Sequence, residues 1–574
     1  MANQYGDKLY MAICSEKTLQ TNSNGFFMNF AQLVSENAGE IWIKNIFGHN
    51  TVIDCGSSLS LALWSRSQVL LSLNEYSLAL ADIQLALKES LPNIYKAEAF
   101  WKMGICYKAL NEENRANVSF GLAEKLFASK LKIEDLGRDK MAKFVQNKKE
   151  DRRILPSIQG KPHPLFPCAS KKLTVKQKEG MGRYVIANED IKTGETLVVE
   201  PPYAACLLPD MFGTHCHHCF DRLVSPIGCP DCSNVAFCKM ECRQAALSSY
   251  HTYECKFLDL LIGSGMSILS HTALRMITQN SLKRCLEIYK DRKKEKVYSL
   301  CTNSSLRSPE DFLQRTLMAA FLLRCLQKII PTDEEYRIGE LLLFHLQMLQ
   351  FNAHEIYETR YLPDRRFKGS KATYIGVAVY PTVALFNHDC YPAVTRHFVG
   401  KKIVIKAARP LQPQDVVAEN YGPIFTRKCL QERQRSLSSR YWFNCQCNAC
   451  IFNWPTLDAG LEPYSIRIKC SNKKCSYYFT LPVSSQILKC PKCQETISLT
   501  EQIQLLKWCD EQYDVGHKTM NENQPEKAMD ILCTAIDAFH RISCAPHKGT
   551  HLAQESLHLC VADSGNVHET LVNK

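Results

Sequence analysis

At 574 residues the chain is long enough for three or four domains, and its 45% hydrophobic content is that of a globular protein. No apolar run is long enough to span a bilayer, and the start, MANQYGDKLYMAICSEK, lacks the basic-then-apolar order of a signal peptide, so neither a membrane-spanning nor a secreted protein is expected. The formal charge of +12 invites a nucleic-acid reading, but the 28 cysteines alter it: with fifteen as thiolates around four zinc ions, the ions restore eight of the fifteen charges and about +5 remains. Cysteines arranged as metal pairs point to a reducing compartment, nucleus or cytoplasm.

Residues 1–56 show helical apolar spacing between Phe26 and Trp42 but no readable chemistry. The next segment, 57–130, sharpens into paired helices. In a 34-residue frame starting at Ala97, the residues Phe100, Met103, Gly104, Tyr107, Ala116, Phe120 and Ala123 fall on the large and small slots of a tetratricopeptide repeat. Ala79, Ile83 and Ala86 match the second helix of a looser preceding repeat, 37 residues before Ala116. Small residues let helices approach and aromatics fill the gap between them, a pattern that ordinary helix packing also produces. Two repeats fall short of the three that usually make a stable stack. Either residues 1–56 supply a helix, or the stack leans on the next domain. Docking of a partner or peptide is its expected role.

Residues 131–172 form a basic, proline-containing linker (DRRILPSIQGKPHPLFP). Over 173–215 alternating apolar residues flank the turns Gly180-Met181-Gly182 and Lys192-Thr193-Gly194-Glu195, predicting short antiparallel strands. A Gly-x-Gly turn alone says little. Residues 216–255 say far more: Cys216-x2-Cys219, Cys229-x2-Cys232, Cys238-x3-Cys242 and His251-x3-Cys255. Tetrahedral zinc takes two such pairs per ion, so eight ligands mean two structural zincs. Buried core cysteines have no reason to arrive in pairs, and disulfides belong to extracellular domains. The order and spacing resemble the MYND zinc finger. Spacing leaves sequential and interleaved pairing open; the resemblance implies interleaving, with Cys216, Cys219, Cys238 and Cys242 at one site and Cys229, Cys232, His251 and Cys255 at the other. Four protein ligands leave no position for a reactive water, so the finger is expected to be a scaffold or docking surface.

Residues 256–350 read as helical, with apolar clusters at Phe257 to Leu261, Leu274 to Ile277, Leu317 to Leu326 and Leu341 to Leu349. Strand texture returns within 351–424, where Asn387-His388-Asp389-Cys390-Tyr391-Pro392 precedes two strand-like runs and Asn420-Tyr421-Gly422-Pro423 closes them. Over 425–455 the motif Tyr441-Trp442-Phe443-Asn444-Cys445-x-Cys447-x2-Cys450 is one ligand short of a tetrahedral set. Cys390 is the expected fourth. A further set, Cys470-x4-Cys475 with Cys490-x2-Cys493, gives 465–497 a zinc-ribbon-like spacing, its charge offset by Lys473, Lys474, Lys489 and Lys492. The remainder, 501–574, is helical, with repeat-like spacing from Glu526 to Phe539.

This order of motifs resembles a SET-domain lysine methyltransferase with its post-SET segment, and the finger inserted within it identifies the SMYD family of SET- and MYND-domain proteins. The resemblance implies a multidomain α+β fold: a β-rich SET core split by the MYND finger and a helical insert, flanked by tetratricopeptide-like helical regions. It implies S-adenosyl-L-methionine as methyl donor and about four structural zinc ions. Cofactor contacts carry over to Glu179, Gly180, Met181 and Gly182 at the first turn, Asn387 and His388 at the second, Phe443 and Tyr421, and to Asn303 and Asn352. Tyr421 carries over as the catalytic residue, and Tyr441, Phe443 and His354 as the walls of the substrate-lysine channel. The family motif usually has asparagine where Ala393 stands, often serine at Asp389, and an apolar or aromatic residue at His354. The helical ends look short for the family, an arrangement expected to leave part of a substrate cleft unroofed.

The implied chemistry is physically coherent. Aligning donor and amine can supply roughly 7–11 kcal/mol of the barrier. An aromatic channel disfavours the ammonium form of a lysine whose free pKa is near 10.4. The expected activity is therefore methyl transfer to a lysine of a histone or other protein, in nucleus and cytoplasm. The rival reading is a catalytically weak adaptor or transcriptional corepressor that recruits protein partners through the finger and the helical repeats. Sequence-specific nucleic-acid binding is not expected, because the paired cysteines form finger sites without a recognition helix, and no membrane association is expected.

Overall fold

A computed structural model of the chain describes residues 56–127, 155–327, 334–362, 367–458, 460, 466–472 and 474–569; the apolar segment from Phe26 to Trp42 lies outside them. The first described helices are α1 (Gly56–Ser72), α2 (Tyr76–Lys88), α3 (Asn93–Ala109) and α4 (Glu113–Phe127). Left-handed residues at Asn74, Ser90 and Asn111 end the first three, where a short polar side chain tolerates positive φ. Ala79, Ala86, Ala99, Ala116 and Ala123 are buried at the crossings. A Cβ at Gly104 would run into the Phe120 ring, which explains the smallest slot. The helices share their core with Ile227 and Met240 of the finger. Arg66 pairs with Asp82 at 2.6 Å and donates to the Pro226 carbonyl at 2.9 Å, while Ser225 donates to Asp82 at 3.1 Å. The stack therefore leans on the next domain.

The strands in chain order are β1 (Leu173–Lys178), β2 (Gly182–Ala187), β3 (Thr196–Glu200), β4 (Ala204–Leu207), β5 (Ile227–Gly228), β6 (Ala236–Phe237), β7 (Ala353–Tyr361), β8 (Lys371–Val379), β9 (Val394–Val399), β10 (Lys402–Ala407), β11 (Arg467–Lys469), β12 (Tyr478–Thr480), β13 (Ile487–Lys489), β14 (Thr496–Ser498) and β15 (Val567–Glu569). β1 and β2 form a hairpin; the order β3-β10-β9 makes one sheet and β15-β7-β8-β4 another. Strands from before and after the finger thus complete the same sheets. The linker's second half joins them: Gln159 and Ser170 donate to the Thr196 and Leu197 carbonyls at 2.8 Å, and Ala169 is buried.

Between the strands lie α5 (Met240–Leu247), α6 (His251–Glu254), α7 (Leu258–Gly263), α8 (Ile268–Thr278), α9 (Leu282–Lys290), α10 (Pro309–Gln327) and α11 (Glu335–Asn352). Leu274 of α8 and Leu341, Leu342 and Leu349 of α11 share the main core with Leu197, Ile375, Val379 and Ile403. One buried carboxylate ties the finger to this core. Glu254, on the short helix that carries zinc-ligand candidate His251, accepts from Arg275, from His271 at 2.8 Å and from Thr278 at 2.8 Å. Arg275 also donates to the Ala205 carbonyl at 2.9 Å and lies 3.8 Å over the Tyr250 ring. Burial opposes ionisation of Glu254, yet Arg275 and His271 hold its carboxyl well below the usual range.

After β10 come α12 (Leu430–Tyr441), α13 (Asn448–Ile451), α14 (Thr500–Asn521), α15 (Pro525–Ile542) and α16 (Lys548–Asp563). The last three pack with the two cysteine-bearing hairpins around Ile468, Phe479, Leu532 and Phe539. α15 rests on the predicted turn at Lys192–Glu195: Asp537 accepts from the Thr193 hydroxyl at 2.6 Å, and a Cβ on Gly194 would meet the Cys533 sulfur at 2.8 Å. The chain then returns to pair β15 in parallel with β7, Val567 opposite Thr359, so the expected all-helical end finishes as a strand. Among the described residues, no helix is long and apolar enough to cross a membrane.

Two outcomes follow from buried charge. Arg275→Met leaves the Glu254 carboxylate buried without its main partner, a change worth roughly 3–5 kcal/mol of stability by denaturant unfolding; it is also expected to speed zinc release from the finger to a chelator. In the C-terminal helices, burial lowers His540 to about 3 and His547, His551 and His558 to about 4. Nε2 of His551 and of His558 has no hydrogen-bond partner among the described residues. Unfolding lets these rings take a proton near pH 6.5, so the stability they permit is complete above that pH and is lost as pH falls toward 4. Melting curves between pH 7 and 4 test this, and replacing His551 and His558 by asparagine is expected to flatten the dependence.

Candidate active site

Four donor sets form among the described residues, and all four are those expected, the two finger sets in the interleaved pairing that the resemblance implied. Cys216, Cys219, Cys238 and Cys242 make the first; Cys229, Cys232, His251 and Cys255 make the second, so the finger is interleaved. Cys390 joins Cys445, Cys447 and Cys450 across more than fifty residues of chain, and Cys470, Cys475, Cys490 and Cys493 complete the fourth. Within each set the ligand atoms lie within 4.8 Å of one another. Four sulfurs at the usual zinc bond length sit roughly 3.8 Å apart on tetrahedral edges. Observed separations are 3.4 Å for Cys219 to Cys238, 3.6 Å for Cys232 to His251 Nε2, 3.5 Å for Cys390 to Cys450 and 3.9 Å for Cys470 to Cys493. The donor chemistry and spacing fit zinc at each. Buried Arg433 adds positive charge beside the third set, donating to the Ala449 carbonyl at 3.0 Å with Cys450 Sγ at 3.7 Å.

The Cys390 set borders an aromatic pocket built by two adjacent extended segments. Glu419 N–H donates to the Asn387 carbonyl at 2.9 Å, Asp389 N–H to Glu419 at 2.8 Å and Ala393 N–H to Ala418 at 2.8 Å. This parallel contact brings His388 against Tyr421, with ring centroids 5.3 Å apart. Tyr441 lies 4.9 Å and Phe443 6.5 Å from the Tyr421 ring, and Phe443 is 6.2 Å from His388. Burial lowers His388 to about 4, so its ring is neutral. Its Nδ1 accepts the Tyr421 backbone N–H at 3.0 Å, which leaves the proton on Nε2, 3.3 Å from Cys390 Sγ. Burial, aided by the Glu419 charge, raises Tyr421 well above its ordinary value, and burial raises Tyr441 as well. The Tyr421 hydroxyl donates to the Phe386 carbonyl at 2.7 Å.

The first glycine turn meets this pocket: Asn387 Nδ2 donates to the Met181 carbonyl at 3.1 Å. Gly180 and Gly182 take φ of +77° and +66°, and a Cβ on either would meet nothing within 4 Å, so the turn presents open backbone. Glu179 lies in the same turn between β1 and β2. Asn352, at the end of α11, donates to the Cys301 and Met348 carbonyls at 2.8 Å. Asn303 sits two residues beyond Cys301 in a left-handed conformation and accepts from its thiol at 2.9 Å. These candidates therefore form three adjoining groups: the glycine turn with Asn387, the 301–303 loop with Asn352, and the aromatic rings with His388.

His354 is placed differently from the lysine-channel wall expected of it. On β7 it is buried, bonded through Nε2 to Glu419 at 3.1 Å and edge-on to Tyr380 at 5.7 Å. Glu419 in turn accepts from Arg396 at 2.9 Å; burial opposes its ionisation, but His354 and Arg396 keep its carboxyl low. Arg396 also reaches the Asn420 carbonyl at 3.3 Å, so this charged group supports the Tyr421 segment. Glu200 does the same for the other segment, accepting the Thr382 and Val383 N–H groups at 2.9 and 3.0 Å and so capping the turn that leads to Asn387. Neither Glu419 nor Glu200 stands in a local motif, and only long-range pairing identifies them.

Because Cys390 lies between His388 and Tyr391, Cys390→Ser is expected to reduce bound zinc from four ions to three and to loosen the pocket. Metal analysis together with protection of the Tyr421 amide against hydrogen exchange checks both effects; a variant that keeps four zincs contradicts the shared set.

The chain is similar to several known proteins. The MYND finger family matches residues 216–255. The mouse protein-lysine N-methyltransferase SMYD4 is 22% identical over 614 residues, covering 88% of this chain and 76% of the mouse protein. A SET and MYND domain-containing protein of Dictyostelium discoideum is 26% identical over 365 residues, covering 54% of this chain and 90% of its own length. The Arabidopsis thaliana histone-lysine N-methyltransferase ASHR1 is 24% identical over 326 residues, covering 54% of this chain and 62% of its own. The chain thus carries a MYND finger between the halves of its sheets and a distant cysteine completing the set after the pocket, and it is similar over most of its length to a SET- and MYND-domain methyltransferase.

Proposed function

We propose that the chain is a protein-lysine N-methyltransferase using S-adenosyl-L-methionine, built as a SET core split by the MYND finger and the helical insert. The observation that carries this reading is the convergence of Tyr421, Tyr441, Phe443 and His388 on a pocket that the open Gly180–Gly182 turn also reaches through Asn387. When bound, S-adenosylmethionine supplies a methyl group activated by a sulfonium. Open backbone at Gly180 and Gly182, the Asn387 amide and the 301–303 loop held by Asn352 fit such a donor. Glu179, Met181, His388 and Asn303 complete its surroundings.

The protein's own groups then have distinct tasks. Tyr441 and Phe443 wall off water, which favours a neutral lysine amine. Tyr421 commits its hydroxyl proton to the Phe386 carbonyl, so its oxygen faces the pocket as an acceptor. An acceptor there orients the amine and stabilises positive charge on the transferring methyl. His354 acts from behind, through Glu419, by holding the segment that carries Tyr421.

Zinc consumes every side-chain donor of the finger sets, and the helix hairpins rest on the finger, which suits partner and substrate recruitment rather than chemistry. The same features support the adaptor reading, and Tyr421→Phe separates the two. That change keeps the aromatic wall, so donor affinity measured by calorimetry falls little, while single-turnover transfer slows by about two orders of magnitude, as for loss of one preorganised polar group. Tyr441→Phe is expected to cost less or to change the number of methyls added. Equal rates for wild type and Tyr421→Phe, or no donor binding by the wild type, would favour the adaptor.

A further inference from the structure

Trp442 stands between Tyr441 and Phe443, yet it faces the other way. It is the only one of the three in the left-handed region, at φ +63°, a conformation that favours glycine and is unusual for so large a side chain. The reversal leaves its neighbours near Tyr421 and sends the Trp442 ring edge-on to Phe351, 5.0 Å away at 73°. Phe351 immediately precedes Asn352. Arg307 covers both rings, 5.4 Å from Phe351 and 5.3 Å from Trp442.

Arg307 is itself fixed, with only 1% of its side chain exposed. It donates to the Thr302 carbonyl at 3.0 and 2.8 Å, to the Gln347 carbonyl at 2.9 Å and to the Gln350 amide oxygen at 3.1 Å, and it pairs with Asp311 at 2.5 Å. One guanidinium therefore holds the loop that carries Asn303 and the helix end that carries Asn352. Through Trp442 it also holds the turn that carries Tyr441 and Phe443. A lone tryptophan filling a gap would need neither the unfavourable backbone nor a buried cation on its face.

We infer that Trp442, stacked on Arg307, is a positioning residue for methyl transfer: it sets the distance between the asparagines on the donor side and the aromatic wall on the lysine side. This rests on the methyltransferase reading, but the geometric claim has its own readout. A misplacement of about 1 Å between such groups can cost about a hundredfold in rate.

The decisive variant is Trp442→Gly, because glycine accepts positive φ and removes only the ring. With full-length zinc-loaded protein, it is expected to retain four zincs and to melt within a few degrees of wild type. Affinity for S-adenosylmethionine by calorimetry falls roughly tenfold, the scale of coupling between contacting groups, and amide exchange speeds up at residues 301–303, across the pocket from the substitution. Trp442→Phe, which keeps an aromatic face for Arg307, recovers most of both. Unchanged donor affinity and unchanged exchange at 301–303 in Trp442→Gly would overturn the inference. If the wild type binds no S-adenosylmethionine, the methyltransferase reading fails, while the exchange comparison still decides whether Trp442 holds the far loop.

Discussion

The pocket depends on two segments, residues 387–393 and 418–421, that meet at a parallel bridge between His388 and Glu419. Neither segment closes on itself, and each is anchored from behind by a buried carboxylate, Glu200 for one and Glu419 for the other. The contact brings His388 to Tyr421 and places Cys390 where three cysteines from a later segment can reach it. Zinc at that set then does what a long loop cannot do cheaply: it fixes a closure of more than fifty residues whose entropic cost rises with length. Tyr441 and Phe443 precede Cys445 by a few residues, so the metal also fixes the pocket wall.

Three buried carboxylates recur as joints. Glu254 meets Arg275 and His271, Glu419 meets Arg396 and His354, and Glu358 meets Arg222 at 2.6 Å and His215 at 3.0 Å. Each joins elements distant in sequence. Desolvation offsets most of the attraction in such pairs, so their contribution lies in specifying one arrangement rather than in net stability. An apolar replacement would hold the elements together without fixing their register. The pocket needs that register, because the asparagines and the aromatic rings come from different elements.

What was legible in the sequence was local. Cysteine pairs announce zinc through spacing alone, and the set at Cys445, Cys447 and Cys450, one ligand short, pointed to Cys390 across the chain. Turns at Gly180 and Gly194 and small residues at Ala79 and Ala116 likewise follow from backbone and packing requirements within a few residues. The partners of charged side chains were not legible. His354 was expected at the channel wall because the family resemblance places a channel residue at its position; alternation along a strand tells which face a residue takes, not that Glu419 waits there. The same limit hid Arg307 against Trp442 and the parallel pairing of β15 with β7, whose three residues carry no strand signal of their own.

One strand connects the finger to the pocket. β7 begins directly after Asn352; its His354 bonds Glu419 beneath the Tyr421 segment, and its Glu358 bonds His215 and Arg222 at the edge of the finger. Its neighbours on the two sides are β8 and β15, so helices from the C-terminal end are tied to the same strand. Arg275 adds a second tie from the finger, through the Ala205 carbonyl on β4, which pairs with β8. A finger held at two points on one sheet cannot tilt without moving that sheet. The finger is therefore joined by buried ion pairs and hydrogen bonds to the strand that supports Tyr421, although no finger ligand approaches the pocket. The finger's place between the two halves of the strands thus sets it against the same sheet that carries His354 beneath the Tyr421 segment.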